Sequence, residues 1–358
     1  MKKLLVLIIL CVGLMTTSAF GAWLYDSCQA PVGAWNGWHY GTDGETAFNN
    51  WVAVGSVPWP PGAPEASPPT GNEEVVVRYQ TTVVTLNSNE DWTSAGTDAN
   101  RGRLRIYNGA VLNETGGRLT NVGWMRIGES SGGTDAGAQN GTMTQSGGLF
   151  RMGVSKDAGK FVIGDKTAFV GSTYTISGGT LTYDTSLTAC TAQIYIGDRG
   201  NGHGKMIVDG PGGTIKMKNL YVGTDSTSTG NVGVLQFNIG ASGVSAIQLT
   251  GTTAMNLATG SGNSAELIIT LTAAPPTGPI LLVDNGTAMV AASVFNLING
   301  AVSGAEGSTV SASFGGTTYN WTLTYKGGTD GKDIQLLVPE PATMALLSLG
   351  LLAIRRRK

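Results

Sequence analysis

Four glycine pairs recur through the middle of the chain: Gly116-Gly117, Gly147-Gly148, Gly178-Gly179 and Gly212-Gly213, at intervals of 31, 31 and 34 residues. Each is followed within two positions by an apolar residue, Leu119, Leu149, Leu181 and Ile215. Between the pairs runs a second motif, a short apolar segment ending in Gly: Met125–Gly128, Phe161–Gly164, Ile194–Gly197 and Leu220–Gly223. The two motifs alternate, which marks a true structural repeat. A unit this short cannot bury its own apolar face, so the units must stack on one another.

The repeat is β in character. Ser172–Ser177 and Lys205–Val208 alternate apolar and polar residues, as half-buried strands do. Gly, Asn, Asp and Ser bound the short runs and supply the positive φ that corners need. No stretch between residues 75 and 338 has a capped, amphipathic helical period. The expected fold is all-β: a parallel β-solenoid over residues 75–245, its rungs about 4.8 Å apart around a column of Ile, Val and Leu. Charged residues are only 13% of the chain, about half the usual share. A solenoid tolerates this, because each coil covers the strand edges of the next.

Both flanks read as caps. Residues 22–74 are rich in Trp and Pro and hold Trp23, Trp35, Trp38, Trp51 and Trp59. Residues 246–338 contain five candidate strands, Leu267–Leu271, Ile280–Val283, Phe295–Ile298, Tyr319–Tyr325 and Ile334–Val338, expected to form a small antiparallel sheet over the last coil.

The two ends read as addresses. Lys2 and Lys3 precede the uncharged apolar run Leu4–Met15, and Ala19 and Gly21 place small residues where signal peptidase cuts. Residues 1–21 are therefore expected to be a cleaved signal peptide handled by the Sec translocon. Leu10 is too bulky before Cys11 for lipidation. At the other end, Pro339-Glu340-Pro341 interrupts regular structure, Ala342–Ile354 is apolar, and Arg355, Arg356, Arg357 and Lys358 close the chain. As a helix, that apolar run is about 20 Å long against a hydrocarbon core of about 30 Å, so flanking residues or bilayer thinning must cover the difference. The basic cluster stays cytoplasmic.

This ordered triple over residues 339–358 resembles the PEP-CTERM sorting signal of Gram-negative bacteria. The resemblance implies export, transient anchoring in the inner membrane and recognition of Pro339, Glu340 and Pro341 by an exosortase, then delivery to the cell surface or the extracellular matrix. Thr175–Thr182 with Ile194–Gly197 resembles the β-strand repeats of autotransporter-like exported proteins, with Pro211 a departure in the fourth unit.

Chemistry is sparse. The formal net charge of −2 argues against nucleic acid as a partner. Without the six basic residues of the two ends and Glu340, the body carries about −7. Glu129, Asp165, Asp198 and Asp225 fall at equivalent repeat positions, Asp165 and Asp198 followed by Lys166 and Arg199. Turn chemistry explains such repetition. A Ca²⁺ column, or a polysaccharide-active β-helix enzyme, is the alternative. Trp35, Trp38 and Trp51 either pack the N-terminal end or offer ring faces to an extracellular polysaccharide. His39 and His203 are isolated, and no catalytic triad, metal site or cofactor motif is readable. Cys28 and Cys190 lie 162 positions apart, too far along a stacked rod to expect a disulfide. The function expected is that of a non-enzymatic structural or adhesive protein.

Overall fold

The computed structural model describes residues 103–338 apart from residues 107–108, 110, 130–139, 154–158, 166–170, 187–189, 199–200, 225–228, 252–254, 259–260 and 287–293. Before residue 103 it describes the backbone of six strands, Ala22–Tyr25, Gly33–Trp35, Trp51–Val54, Glu74–Val77, Val83–Leu86 and Asn89–Asp91. Every α-helical or strand element among the described residues is a strand.

The strands fall into three parallel columns, visited in turn by each winding of the chain. The first stacks Ala22–Tyr25, Glu74–Val77, Arg103–Ile106, Trp124–Glu129, Lys160–Asp165, Gln193–Asp198, Asn219–Val222 and Met255–Leu257 in chain order. Trp51–Val54 lies antiparallel on its N-terminal edge. The second runs from Gly33–Trp35 and Val83–Leu86 through Val111–Glu114 and the first halves of Thr142–Met152 and Ser172–Tyr183. It continues through His203–Asp209, Val232–Ile239 and Ser264–Leu271 to Phe295–Ile298. The third holds Asn89–Asp91, Arg118–Val122, the second halves of the two long strands, Gly213–Met217, Ile247–Leu249 and Ile280–Asn285. The protein is a three-sided parallel β-solenoid.

The core follows from period-two alternation combined with exact stacking. In the second column Leu112, Met143, Tyr174, Met206, Leu235 and Leu267 are level with one another and point inward, each 0% exposed. The first column adds Leu104, Met125, Phe161, Ile194, Leu220 and Met255 in the same manner. Burying each such side chain stabilises by about 1.5–3 kcal/mol. Phe161 meets Tyr174 edge-on at 4.9 Å between ring centroids, tying two columns together.

The glycine motifs are the corners. The pairs turn the chain from the second column to the third, and the Gly closing each short apolar segment lies within one residue of the end of a first-column strand. Gly117, Gly148 and Gly179 have φ of 69°, 72° and 74°, a region in which only Gly is unstrained. Space adds a second constraint: a Cβ on Gly179 would stand 2.2 Å from the Gly147 carbonyl oxygen of the winding before. In the fourth unit Val208 is level with Ile176 and Gly213 with Gly179, so four residues cross the corner where two did before. The left-handed Gly there is Gly210, φ 69°, with nothing within 4 Å of an added Cβ. Pro211 thus belongs to a longer corner and leaves the stack intact.

Two expectations change. Parallel stacking does not stop at residue 245; it runs to Phe295–Ile298, and three of the five strands foreseen for an antiparallel cap are parallel rungs. The antiparallel cap begins at Val302–Gly304 and contains the hairpin Thr309–Phe314 with Thr317–Gly327, then Asp333–Leu337. That last strand lies between Ile280–Asn285 and Thr317–Gly327, antiparallel to both. Trp321 is 2% exposed, and the Tyr325 hydroxyl donates to the Gly304 carbonyl at 2.6 Å while accepting from the Phe295 N–H at 2.9 Å.

Gly179→Ala and Gly210→Ala separate the two demands on corner glycines. Gly210→Ala adds only left-handed strain, about 1–2 kcal/mol by urea denaturation. Gly179→Ala adds a backbone clash to the same strain and costs more than Gly210→Ala in the same measurement.

Candidate functional site

Two places concentrate polar chemistry. The first is inside the rod. Glu114, Gln145 and Ile176 occupy one inward position on successive rungs. Glu114 and Gln145 are both 0% exposed. Gln145 is satisfied: its Oε1 accepts from the Tyr174 hydroxyl at 2.5 Å and its Nε2 donates to the Thr180 carbonyl at 3.1 Å. Neither Glu114 carboxyl oxygen has a hydrogen-bond partner. Burial pushes its pKa from the ordinary 4.5 up to about 8, so the group is a neutral acid at pH 7. Burial first, and the nearby Glu114 second, also hold the Tyr174 hydroxyl well above its ordinary range. A perturbed carboxyl often marks catalysis. This one faces core rather than a cleft, and its effect is on stability.

The second place is the outward face of the first column. Arg105, Arg126, Val162, Tyr195, Tyr221 and Asn256 stand level on successive rungs, beside a row containing Trp124, Lys160, Gln193 and Asn219. The Arg126 guanidinium sits 3.5 Å from the Trp124 ring centroid, and its Nε lies 3.2 Å from Oδ2 of Asp165, which is fully buried. Tyr195 and Tyr221 stack at 4.5 Å, 6° from parallel. The Tyr195 hydroxyl donates to Gln193 Oε1 at 3.0 Å, Gln193 Nε2 donates to the Tyr221 hydroxyl at 3.4 Å, and Lys160 Nζ lies 5.6 Å from the Tyr195 ring. The Arg126–Trp124 and Tyr195–Gln193 contacts lie within one strand, while Arg126–Asp165, Tyr195–Tyr221 and Gln193–Tyr221 join successive rungs. The arrangement is a side-chain ladder that reinforces the backbone ladder.

The carboxylates singled out in the sequence divide. Glu129, Asp165 and Asp198 are level on three rungs of the first column. Carrying the register of Ile196 with Val222 two residues further puts Thr224, not Asp225, level with Asp198. Asp225, Lys166 and Arg199 lie outside the described residues. Asp165 is engaged by Arg126, and among the described residues no group of three His, Cys, Asp or Glu is placed to hold a metal ion.

His203 opens the strand His203–Asp209, because its register with Val232 draws it into the second column. Cys190 is a free, buried thiol donating to the Gly153 carbonyl at 3.5 Å, its pKa pushed up by burial. Trp35 and Trp51 lie on described strands, level with Leu86 and Tyr25, but their side chains lie outside the described residues. Trp38, His39, Cys28, Ala19, Gly21, Pro339, Glu340, Pro341, Arg355, Arg356 and Arg357 also lie outside them. No helix among the described residues is long and apolar enough to cross a membrane.

Reading by residue type alone missed Glu114 and Gln145. The signal was present: aligning the first three glycine pairs places Glu114, Gln145 and Ile176 two residues before the pair, one strand step of two from the inward residues Leu112, Met143 and Tyr174.

Comparison with protein families matches residues 337–358 to the PEP-CTERM protein-sorting motif. No curated protein and no solved structure matches the chain. The chain carries a C-terminal sorting signal of the kind recognised by an exosortase, and is an exported protein on that ground.

Two predictions follow from the polar groups. Because the folded-state pKa of Glu114 lies above its unfolded value, its contribution is intact below pH 4.5 and is lost as pH rises to about 8. The loss is on the order of 4–5 kcal/mol. Urea titrations across this range should show it, and Glu114→Gln should flatten it. Arg126→Ala removes the guanidinium from the buried Asp165 carboxylate and costs about 3–5 kcal/mol in urea denaturation, most of it recovered by adding Asp165→Asn.

Proposed function

We propose that this is a structural or adhesive component of the cell surface or extracellular matrix, without enzymatic activity, delivered by exosortase-type sorting. The observation that carries the reading is the sorting motif at residues 337–358, joined to a repeat rod through its antiparallel cap. Support for a passive role comes from the use of side chains. On the first column Arg126 is engaged by Trp124 and Asp165 and Tyr195 stacks on Tyr221, and the buried carboxyl of Glu114 faces the core. A rod of stacked windings presents a long, repetitive surface with few charges, suited to lying within a matrix.

The test is a comparison of the full chain with a chain ending at residue 341, expressed in a host that has an exosortase. The truncated protein should unfold at the same temperature as the processed full-length protein but lose its normal destination, read by fractionation and intact mass. An unfolded truncated body, unchanged localisation, or turnover of host polysaccharide by the purified protein would overturn the reading.

A further inference from the structure

The sorting motif begins at residue 337, inside the last strand of the cap. That strand, Asp333–Leu337, is central. On one side Leu336 and Gln335 pair with Ile280 and Leu281. On the other, Leu337, Leu336 and Gln335 pair with Thr322, Leu323 and Thr324. Ile334 and Leu336 are 0% exposed. Asp333 Oδ1 accepts the Asn285 N–H at 3.0 Å, fixing the start of the strand. The change at its end is abrupt: Leu336 is fully buried, while Val338 is 42% exposed.

A protein-processing enzyme takes its substrate as an extended segment whose main-chain groups are free to pair with the enzyme. Residues 333–337 are extended, but each is paired to at least one neighbouring strand, and Gln335 and Leu336 are paired on both sides. To offer them, the cap must release a central strand and expose Ile334 and Leu336 together. Val338, the next residue, lies outside the strand and pairs with no described strand.

We infer that the folded cap sets the upstream limit of C-terminal processing: the scissile bond lies after Val338, and the processed protein keeps Asp333–Val338 whole. This rests on the sorting reading and goes beyond it, because the limit comes from this chain's own strand order. Scission breaks one amide C–N bond. The acyl carbon of the body takes a hydroxyl from water, and the nitrogen of the released tail takes the proton. The cap thus makes removal of the tail neutral for the rod, since no core strand leaves with it.

Two measurements test this separately from the sorting reading. Purified full-length protein is digested with proteinase K under native conditions, and the C-terminus of the limit product is mapped by mass. The expected product ends at residue 338 or later; loss of any of residues 333–337 overturns the inference. Leu336→Asp, which opens the cap, should move the limit upstream of residue 333, and an unchanged limit would show that the cap is not the barrier. If Leu336→Asp fails to accumulate, a short Gly-Ser spacer inserted between Val338 and Pro339 replaces it. Digestion should then end within or beyond the spacer, and any cut within 333–337 again overturns the inference. In the host, a shortened chain ending at residue 338 or later supports it, and one ending earlier overturns it. A chain kept whole through Lys358 overturns the sorting reading, while the native digest still reads the barrier.

Discussion

Parallel pairing between successive windings is the constraint from which the other features follow. Each described strand of the first column between Glu74–Val77 and Asn219–Val222 lies between the strands one winding before and one winding after. At a separation of about 4.8 Å a corner has no room for side chains on backbone that stacks on backbone. That is why a Cβ on Gly204 would stand 1.9 Å from the Ile163 carbonyl oxygen, and one on Gly233 would stand 2.3 Å from that of Ile196. The high glycine content is a steric consequence of stacking, and the same stacking lines up like positions into continuous inward columns.

Stacking also explains how polar groups are used. A position that repeats in sequence becomes a row in space, so a polar residue meets its counterpart on the next rung before it meets anything else. On the outward face this produces the Arg126–Asp165 contact and the Tyr195–Tyr221 stack, which hold rungs together. In the interior it satisfies Gln145 through Tyr174 and Thr180. Glu114 has no such partner, and keeps its proton at neutral pH because the core disfavours the charge.

The ends of such a rod need covering, because a terminal rung exposes unpaired strand edges. At the C-terminal end the direction of pairing reverses. Asp333–Leu337 closes against a parallel rung and against the cap hairpin at once. The sorting motif starts where this closure ends, so a body that holds together by itself sits next to a segment meant for another protein's recognition.

Much of this was legible in the chain. Gly pairs near a 31-residue period, Ile-x-Ile-Gly-like segments and strand alternation specify β windings and their corners, because those residues are demanded by local geometry and by close approach. The Pro339-Glu340-Pro341 segment, the apolar run and the Arg cluster identify the sorting signal, because another protein must read it as linear sequence. The end of parallel stacking could not be read: the apolar segments within Ser264–Leu271 and Ile280–Asn285 suit either direction of pairing, and only the neighbouring winding decides it. The fates of individual polar groups were equally hidden. Whether Asp165 meets Arg126, whether Tyr195 covers Tyr221 and whether Glu114 is left alone depend on contacts between residues some thirty positions apart, which exist only once the windings are stacked.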